Sequence, residues 1–423
     1  MARRDRSHPN LVLFTLWLLV FSASSQVIIV APILPRIGEA LDITEQLQGW
    51  LITSYAVFLS IFALIIGPIS DKYGRRIVLL LGCAAMAVAL WLHGIADSFT
   101  SLLVVRAAAG AAGGMLSGGA VSYVGDYFQY NKRGWANGWV MSGVAVGQIA
   151  GIPLGIIIAD QFGFRGAFLM FAITMTFTTA LIYFYLPQPN VERNTAKLTV
   201  GSAIAGYRDL LKRPVVVAAS AIYFLMFFSI GLYVIYLPTW LEQTLGVGGT
   251  AIASLFFVGG IAQVIAGPLA GKLSDRTGRK PLIITSCIGF GLVMVLTTFL
   301  TTSMWVAYVL FGSAMTLFAI RVSPLQSLMT ALVEERRRGT LLSLAVSIGQ
   351  TGIGIGGAVA GIAYVRYGYV SITLAGAVAI LGMAYLVHRA LPEPELRPDP
   401  VIVASSTEEA ELAPASTEAK GPE

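Results

Sequence analysis

The sequence predicts an all-α integral membrane protein, with twelve transmembrane helices in two pseudo-symmetric six-helix bundles. Three observations carry this. Of 423 residues, 56% are hydrophobic and only 12% charged, with a mean hydropathy of +0.76, whereas soluble globular domains are roughly 25% charged. The apolar residues gather in runs long enough to cross about 30 Å of hydrocarbon. One loop, Gly67-Pro-Ile-Ser-Asp-Lys-Tyr-Gly-Arg-Arg76, returns half a chain later as Gly271-Lys-Leu-Ser-Asp-Arg-Thr-Gly-Arg-Lys280.

The runs fall at 11–31, 47–69, 77–96, 101–124, 136–159 and 166–186, then at 215–237, 250–270, 281–301, 304–329, 341–363 and 369–389. They lack the period-two alternation of barrel strands, and only helices or closed barrels satisfy their backbone in lipid. Residues 1–10 are basic, and Ser22-Ala-Ser-Ser imitates a signal-peptidase site. The apolar character resumes at Val27–Ala31, however, so the first run reads as a span. Residues 11–186 and 215–391 are the expected bundles, joined by a linker at 187–214 in which Val200–Leu211 reads as a short surface helix. The tail, 392–423, is rich in Pro, Glu, Ser and Ala and reads as disordered.

The repeat extends beyond the loops. Leu34-Pro35-x-x-x-Glu39 echoes Leu237-Pro238-x-x-x-Glu242, and Arg133-Gly134 echoes Arg338-Gly339. Gly147 and Gly151 match Gly352 and Gly356, and Phe162-Gly-Phe164 matches Tyr367-Gly-Tyr369. Between the spans, Lys and Arg concentrate on the side of the two repeated loops, while the opposite segments hold only Arg36, Arg165 and Arg366. The positive-inside rule therefore puts both termini and both loops in the cytoplasm. It also accounts for the net charge of +6 without nucleic acid. Cys83 and Cys287 lie inside equivalent apolar runs and read as packing residues. No metal-ligand cluster, His-Glu-x-x-His or phosphate-cradling Gly-Lys-[Ser/Thr] loop argues for an enzyme.

On these residues the chain resembles the major facilitator superfamily over residues 10–390. The family's loop signature, Gly-x-x-x-Asp-[Arg/Lys]-x-Gly-Arg-[Arg/Lys], is met at every fixed position in both halves, by Gly67, Asp71, Gly74, Arg75 and Arg76 and by Gly271, Asp275, Gly278, Arg279 and Lys280. Arg106-x-x-x-Gly110 is similar to the family's Arg-x-x-Gln-Gly motif, with Ala109 in place of Gln. Gly147-x-x-x-Gly151-Ile-Pro153-x-Gly155 resembles the fifth-helix motif of the drug/proton antiporter branch, with Ile152 inserted before the proline. The resemblance implies a major facilitator fold and alternating access around a central cavity. It also implies a gating role for the loop acids, with Asp126, Arg133 and Arg338 as gate partners. Gly147, Gly151, Pro153 and Gly155 read as helix-packing positions.

Within the spans Arg106 and Arg321 are the two deep charges. Each costs at least about 2.5–3.5 kcal/mol to insert, so each is expected to face a cavity and a partner. For Arg106 the motif implies substrate or proton handling. Arg321, two residues before Ser323-Pro324, reads either as a substrate contact or as a snorkelling residue. No acid lies in mid-span, so two arginines would make the site electropositive and suit an anionic or neutral substrate. His93 titrates in the right range for proton transfer, or simply packs. Gln26 is the polar candidate of the first span. Tyr233 and Tyr236 read as cavity aromatics or as an interfacial belt. Gln148, Gln263, Gln326 and Gln350 read as bridges between helices or as substrate contacts.

The function expected from this is proton-coupled efflux of small amphiphilic drugs or metabolites across a bacterial plasma membrane. The partners are a small-molecule substrate and the bilayer, a monomer is the expected functional unit, and no cofactor or metal is called for beyond the proton gradient. The alternatives are uptake or facilitated diffusion of a sugar or organic anion, and a sensor built on a transporter fold.

Overall fold

The structure is a computed structural model that describes residues 8–189, 200–332 and 338–391. The expected tail at 392–423 lies outside the described residues. Among them, twelve helices are long and apolar enough to cross a membrane. Spans 1 to 6 are Pro9–Ile28, Glu45–Ile66, Arg75–His93, Phe99–Tyr127, Lys132–Phe162 and Phe164–Tyr185. Spans 7 to 12 are Pro214–Leu245, Gly249–Gly271, Arg279–Leu300, Met304–Gln326, Thr340–Tyr367 and Tyr369–Ala390. Val200–Leu211 is a helix of the linker, held to span 2 where Tyr207 Oη donates to the Leu64 carbonyl at 3.0 Å.

The duplication is visible in the packing. In the first half span 1 packs on span 5, span 2 on span 4 and span 3 on span 6. In the second, span 7 packs on span 11, span 8 on span 10 and span 9 on span 12. The halves meet along two symmetry-related seams, span 2 against span 11 and span 5 against span 8. The face carrying the repeated loops is called the motif face below, and the opposite one the far face.

Some connections contain no loop at all. Span 2 turns into span 3 at Gly74, and the helix of span 8 turns into span 9 at Gly278, with φ of 101° and 89°. Span 5 turns into span 6 at Gly163, and span 11 into span 12 at Gly368, with φ of 77° and 72°. A side chain in this left-handed region costs about 1–2 kcal/mol, so each position selects glycine. At Gly74 a Cβ would also meet the Gln188 side chain, 2.7 Å away, whereas Gly163 faces open space. Gly74→Ala is therefore expected to lower the thermal midpoint in detergent more than Gly163→Ala. Equal losses would show that Gln188 yields without cost.

The last base of each loop then ties its half together. Arg76 Nη2 donates to the Tyr183 carbonyl in the last turn of span 6, at 2.7 Å. Lys280 Nζ donates to the His388 and Leu391 carbonyls at the end of span 12, at 3.0 and 2.8 Å. Both cations cover carbonyls that a helix C-terminus leaves without intrahelical partners.

Candidate functional site

Three helix breaks meet between the halves. Pro32 and Pro35 have no N–H to offer, and span 1 stops at Ile28 before the chain resumes as the Val30–Leu41 helix. Pro238 deprives Val234 of its helical partner, and span 7 pauses at Ile235–Tyr236 before continuing from Leu237. In span 5, Pro153 follows a single π turn at Gly147–Gly151. Irregular backbone at membrane depth is tolerated where protein or a cavity receives it. Here Ile28, Ala31, Gln148, Ile152, Val234 and Ile235 all border one cavity of about 300 Å³. Phe227, Phe256, Phe311 and Phe318 add aromatic wall, and Gln148, Gln263 and Gln350 are its amides. No ionisable side chain is among its described lining residues.

The far face is closed by a charged lock. Arg36 Nε donates to Asp160 Oδ1 at 2.7 Å, within the first half, and Arg36 Nη1 donates to Glu242 Oε1 of the second. Burial by itself pulls the Arg36 pKa down. The hydrogen bonds and charges of Glu242 and Asp160 outweigh it, so the guanidinium stands above its ordinary value. Beside the lock, Tyr236 Oη donates to the Glu45 carbonyl at 2.6 Å and accepts from the Gly49 N–H at 3.0 Å. Tyr364 Oη donates to Gln243 Oε1 at 2.6 Å, and Gln243 donates to Glu45.

From there the span 2–span 11 seam continues inward. A Cβ on Gly49 would collide with the Gly357 carbonyl, and one on Gly361 would lie 2.7 Å from the Gln46 carbonyl. Thr53 donates to the Gly354 carbonyl. Ser60 Oγ donates to the Ser347 carbonyl at 2.8 Å, and Ser347 Oγ returns the bond to the Ser60 carbonyl at 2.9 Å. Small residues thus let the two backbones touch, and their hydroxyls hold them.

On the motif face the described contacts run within one half. Arg75 Nε pairs with Asp126 Oδ2 at 2.8 Å, and Arg133 Nε donates to the Phe128 carbonyl at 3.1 Å. Asp126 is thus the partner of the loop's own arginine. The side chains of Asp71, Asp275 and Arg338 lie outside the described residues. Gly271 sits opposite Ser323 of span 10. In span 5, Gly147 and Gly151 face Ser25, and Gly155 faces Ile29, so this stripe packs on the first span.

The sequence-selected polar residues converge only in part. Gln148, Gln263 and Gln350 border the cavity, where the Gln263 amide donates to Met315 Sδ at 3.2 Å. Arg106 is 1% exposed and stands behind the wall, its Cζ 4.4 Å from the Tyr55 ring centre and its Nε 3.4 Å from the Leu51 carbonyl. Gln26 donates to the hydroxyl of that tyrosine, Tyr55 Oη, at 3.0 Å. Arg321 is fully buried between Phe290 and Phe318, at 4.4 and 4.9 Å from their centres. The expected electropositive cavity is therefore corrected for this conformation. Ring faces, rather than a water-filled site, receive both guanidinium groups.

His93 is buried against Phe168, with Nδ1 2.7 Å from the Ala89 carbonyl, so it is a packed residue of span 3. Tyr233 is buried one ring behind Phe311 and bonds Thr297 at 3.0 Å. Tyr236 belongs to the far-face closure. The lock itself went unnoticed in the sequence. Its signal was an acid ending span 5 and a base beside Pro35, on the face otherwise poor in bases.

A cavity enclosed between two six-span repeats, at a meeting of broken helices, is the arrangement of a membrane transporter. The chain belongs to the Major Facilitator Superfamily, whose model matches residues 16–261 and again 219–415. It is a transporter and not an enzyme. The MFS-type transporter YwfA of Bacillus subtilis is 27% identical over 384 residues, covering 90% of this chain and 92% of that protein. The multidrug resistance protein MdtG of Citrobacter koseri is 28% identical over 300 residues, covering 68% and 72%. Among solved structures, a D-xylose-proton symporter superposes with a TM-score of 0.74 at 17% identity, covering 92% of this chain and 98% of that one. The human organic anion transporter MFSD10 gives 0.70 at 17% identity, covering 91% and 100%. These two likenesses define the fold alone.

Proposed function

We propose that the protein is a secondary active exporter of small amphiphilic drugs or metabolites, working by alternating access and driven by the proton gradient. The observation that carries this is the chemistry of the cavity wall, apolar and aromatic with three scattered amides. Such a wall binds by buried area and adapts to many shapes. A sugar site needs a dense set of matched donors and acceptors, each costly when left unpaired. The similarity to multidrug resistance proteins points the same way.

The bias of Lys and Arg puts the motif face and both termini in the cytoplasm. In that orientation the lock and the seam lie at the outer end, which supports reading this as an inward-facing state in a plasma membrane. The bacterial source of the relatives suits that membrane. No described carboxylate borders the cavity, and Asp160 and Glu242, held by Arg36 at the outer end, are the acids tied to the change of state.

The test is flux in proteoliposomes under an imposed pH gradient, with neutral, anionic and cationic amphiphiles and a sugar. Accumulation that collapses with the gradient is expected for the amphiphiles. Gln263→Leu is expected to reduce it about tenfold for hydrogen-bonding compounds, from the loss of one buried polar contact, and to spare purely apolar ones. Equilibration indifferent to the gradient would replace export by facilitated diffusion, and sugar accumulation would replace it by uptake.

A further inference from the structure

The cavity does not account for Arg321. This side chain is 0% exposed, and none of its three guanidinium nitrogens has a hydrogen-bond partner among the described residues. The rings of Phe290 and Phe318 lie against the guanidinium, their centres 4.4 and 4.9 Å from Cζ, and a phenyl ring offers an N–H no lone pair. Five donors in a planar fork are thereby left without an acceptor among the described residues. Cation–π contact offsets part of the desolvation, but an unpaired buried charge is still among the costliest states a side chain adopts.

The position of this fork gives it a use. Phe311, Met315 and Phe318 of span 10 border the cavity, at helical spacing, and Arg321 follows one turn later towards the motif face. Phe318 is at once part of the cavity wall and a ring in contact with the guanidinium. One aromatic ring therefore separates the transported compound from an unsatisfied bidentate donor. A χ1 change at Phe318 would uncover the fork to the cavity without moving the backbone.

We propose that Arg321 recognises the carboxylate of an amphiphilic organic acid, with Phe318 as the ring that covers the site when no acid is bound. The apolar body of such a compound occupies the aromatic cavity, and its carboxylate takes two parallel N–H bonds from Arg321. A planar fork matches a carboxylate in this way, and a lysine does not. The ligand thus supplies the counter-charge that the protein omits, and neutral amphiphiles bind the same cavity without using this site. This rests on the export reading above and narrows its substrate class.

The test measures binding of 2-naphthoate, 2-naphthamide and 2-naphthylmethylammonium, one scaffold with three charges, to the purified full-length protein by calorimetry in nanodiscs. The wild type is expected to prefer naphthoate to naphthamide by roughly ten- to hundredfold, the range of a charge-assisted hydrogen-bonded pair. Arg321→Gln is expected to erase that preference while leaving naphthamide affinity unchanged, and Arg321→Lys to restore only part of it. Phe318→Ala, which keeps the arginine, is expected to raise the naphthoate-to-naphthamide ratio. It also carries the test if Arg321→Gln fails to fold. Naphthamide bound as tightly as naphthoate, or a preference that survives Arg321→Gln, would overturn the role of Arg321 and leave the export reading standing. If none of the three compounds binds, the amphiphile cavity itself is refuted, and this assignment with it.

Discussion

Arg36→Ala is expected to cut transport about tenfold or more while leaving the protein folded. Arg36 holds an acid of each half, so its loss removes the ionic tie across the far face and leaves two carboxylates beside each other. Exposed pairs contribute about 0–1 kcal/mol, and fully buried ones cost about 3–5 kcal/mol when one partner is removed. The three side chains here are 16%, 29% and 18% exposed, between these cases. A loss of about 1–3 kcal/mol from the far-closed state alone shifts its population roughly five- to hundredfold. Adding Asp160→Asn and Glu242→Gln to Arg36→Ala removes the repulsion and is expected to restore part of the flux. Unchanged transport in Arg36→Ala would show that the lock is incidental.

Gly49→Leu is expected to have the larger effect, abolishing transport outright. Even its Cβ would overlap the Gly357 carbonyl of span 11; the carbonyl is backbone and the Cβ position is fixed by the backbone, so no rotamer can yield. Overpacking of this kind typically costs about 1–3 kcal/mol where side chains can adjust, and more where they cannot. The strain falls only on the state in which spans 2 and 11 touch, so the variant is expected to remain folded with its far face open. A matched control is Gly134→Leu, where a Cβ meets no atom within 4 Å, and there flux is expected to persist. Loss of flux in both would reduce the seam to general packing.

The twelve spans and their grouping were legible because apolar length sets a span and the repeat pairs the halves. The Gly74/Gly278 and Gly163/Gly368 pairs were visible as repeats, but that they are direct turns without a loop appears only in the structure. The structure moved the boundaries where proline intervened, most visibly in span 7, which ends at Leu245 and not near 237 because the chain resumes as helix after Tyr236. The site was less legible. Polarity within a span marks Arg106, Arg321 and Gln26 as unusual, but not whether a cavity, a ring face or another helix will receive them. Tyr55 and Phe318, the rings that decide this, look like ordinary apolar positions. The lock was hidden for a different reason. Arg36, Asp160 and Glu242 sit at ends of elements far apart in the chain, where single charges are commonplace, and only the meeting of the halves makes them a unit.

Access to the cavity from only one face at a time is tested most directly by an Ile230→Cys variant, whose new thiol borders the cavity, labelled by a membrane-impermeant maleimide added from either side. The natural Cys83 and Cys287 are both buried. Labelling from the motif face alone is expected in the resting protein. Added Gly49→Leu is expected to turn it to labelling from the far face alone. Simultaneous labelling from both faces, or far-face labelling without that substitution, would contradict alternating access through this cavity.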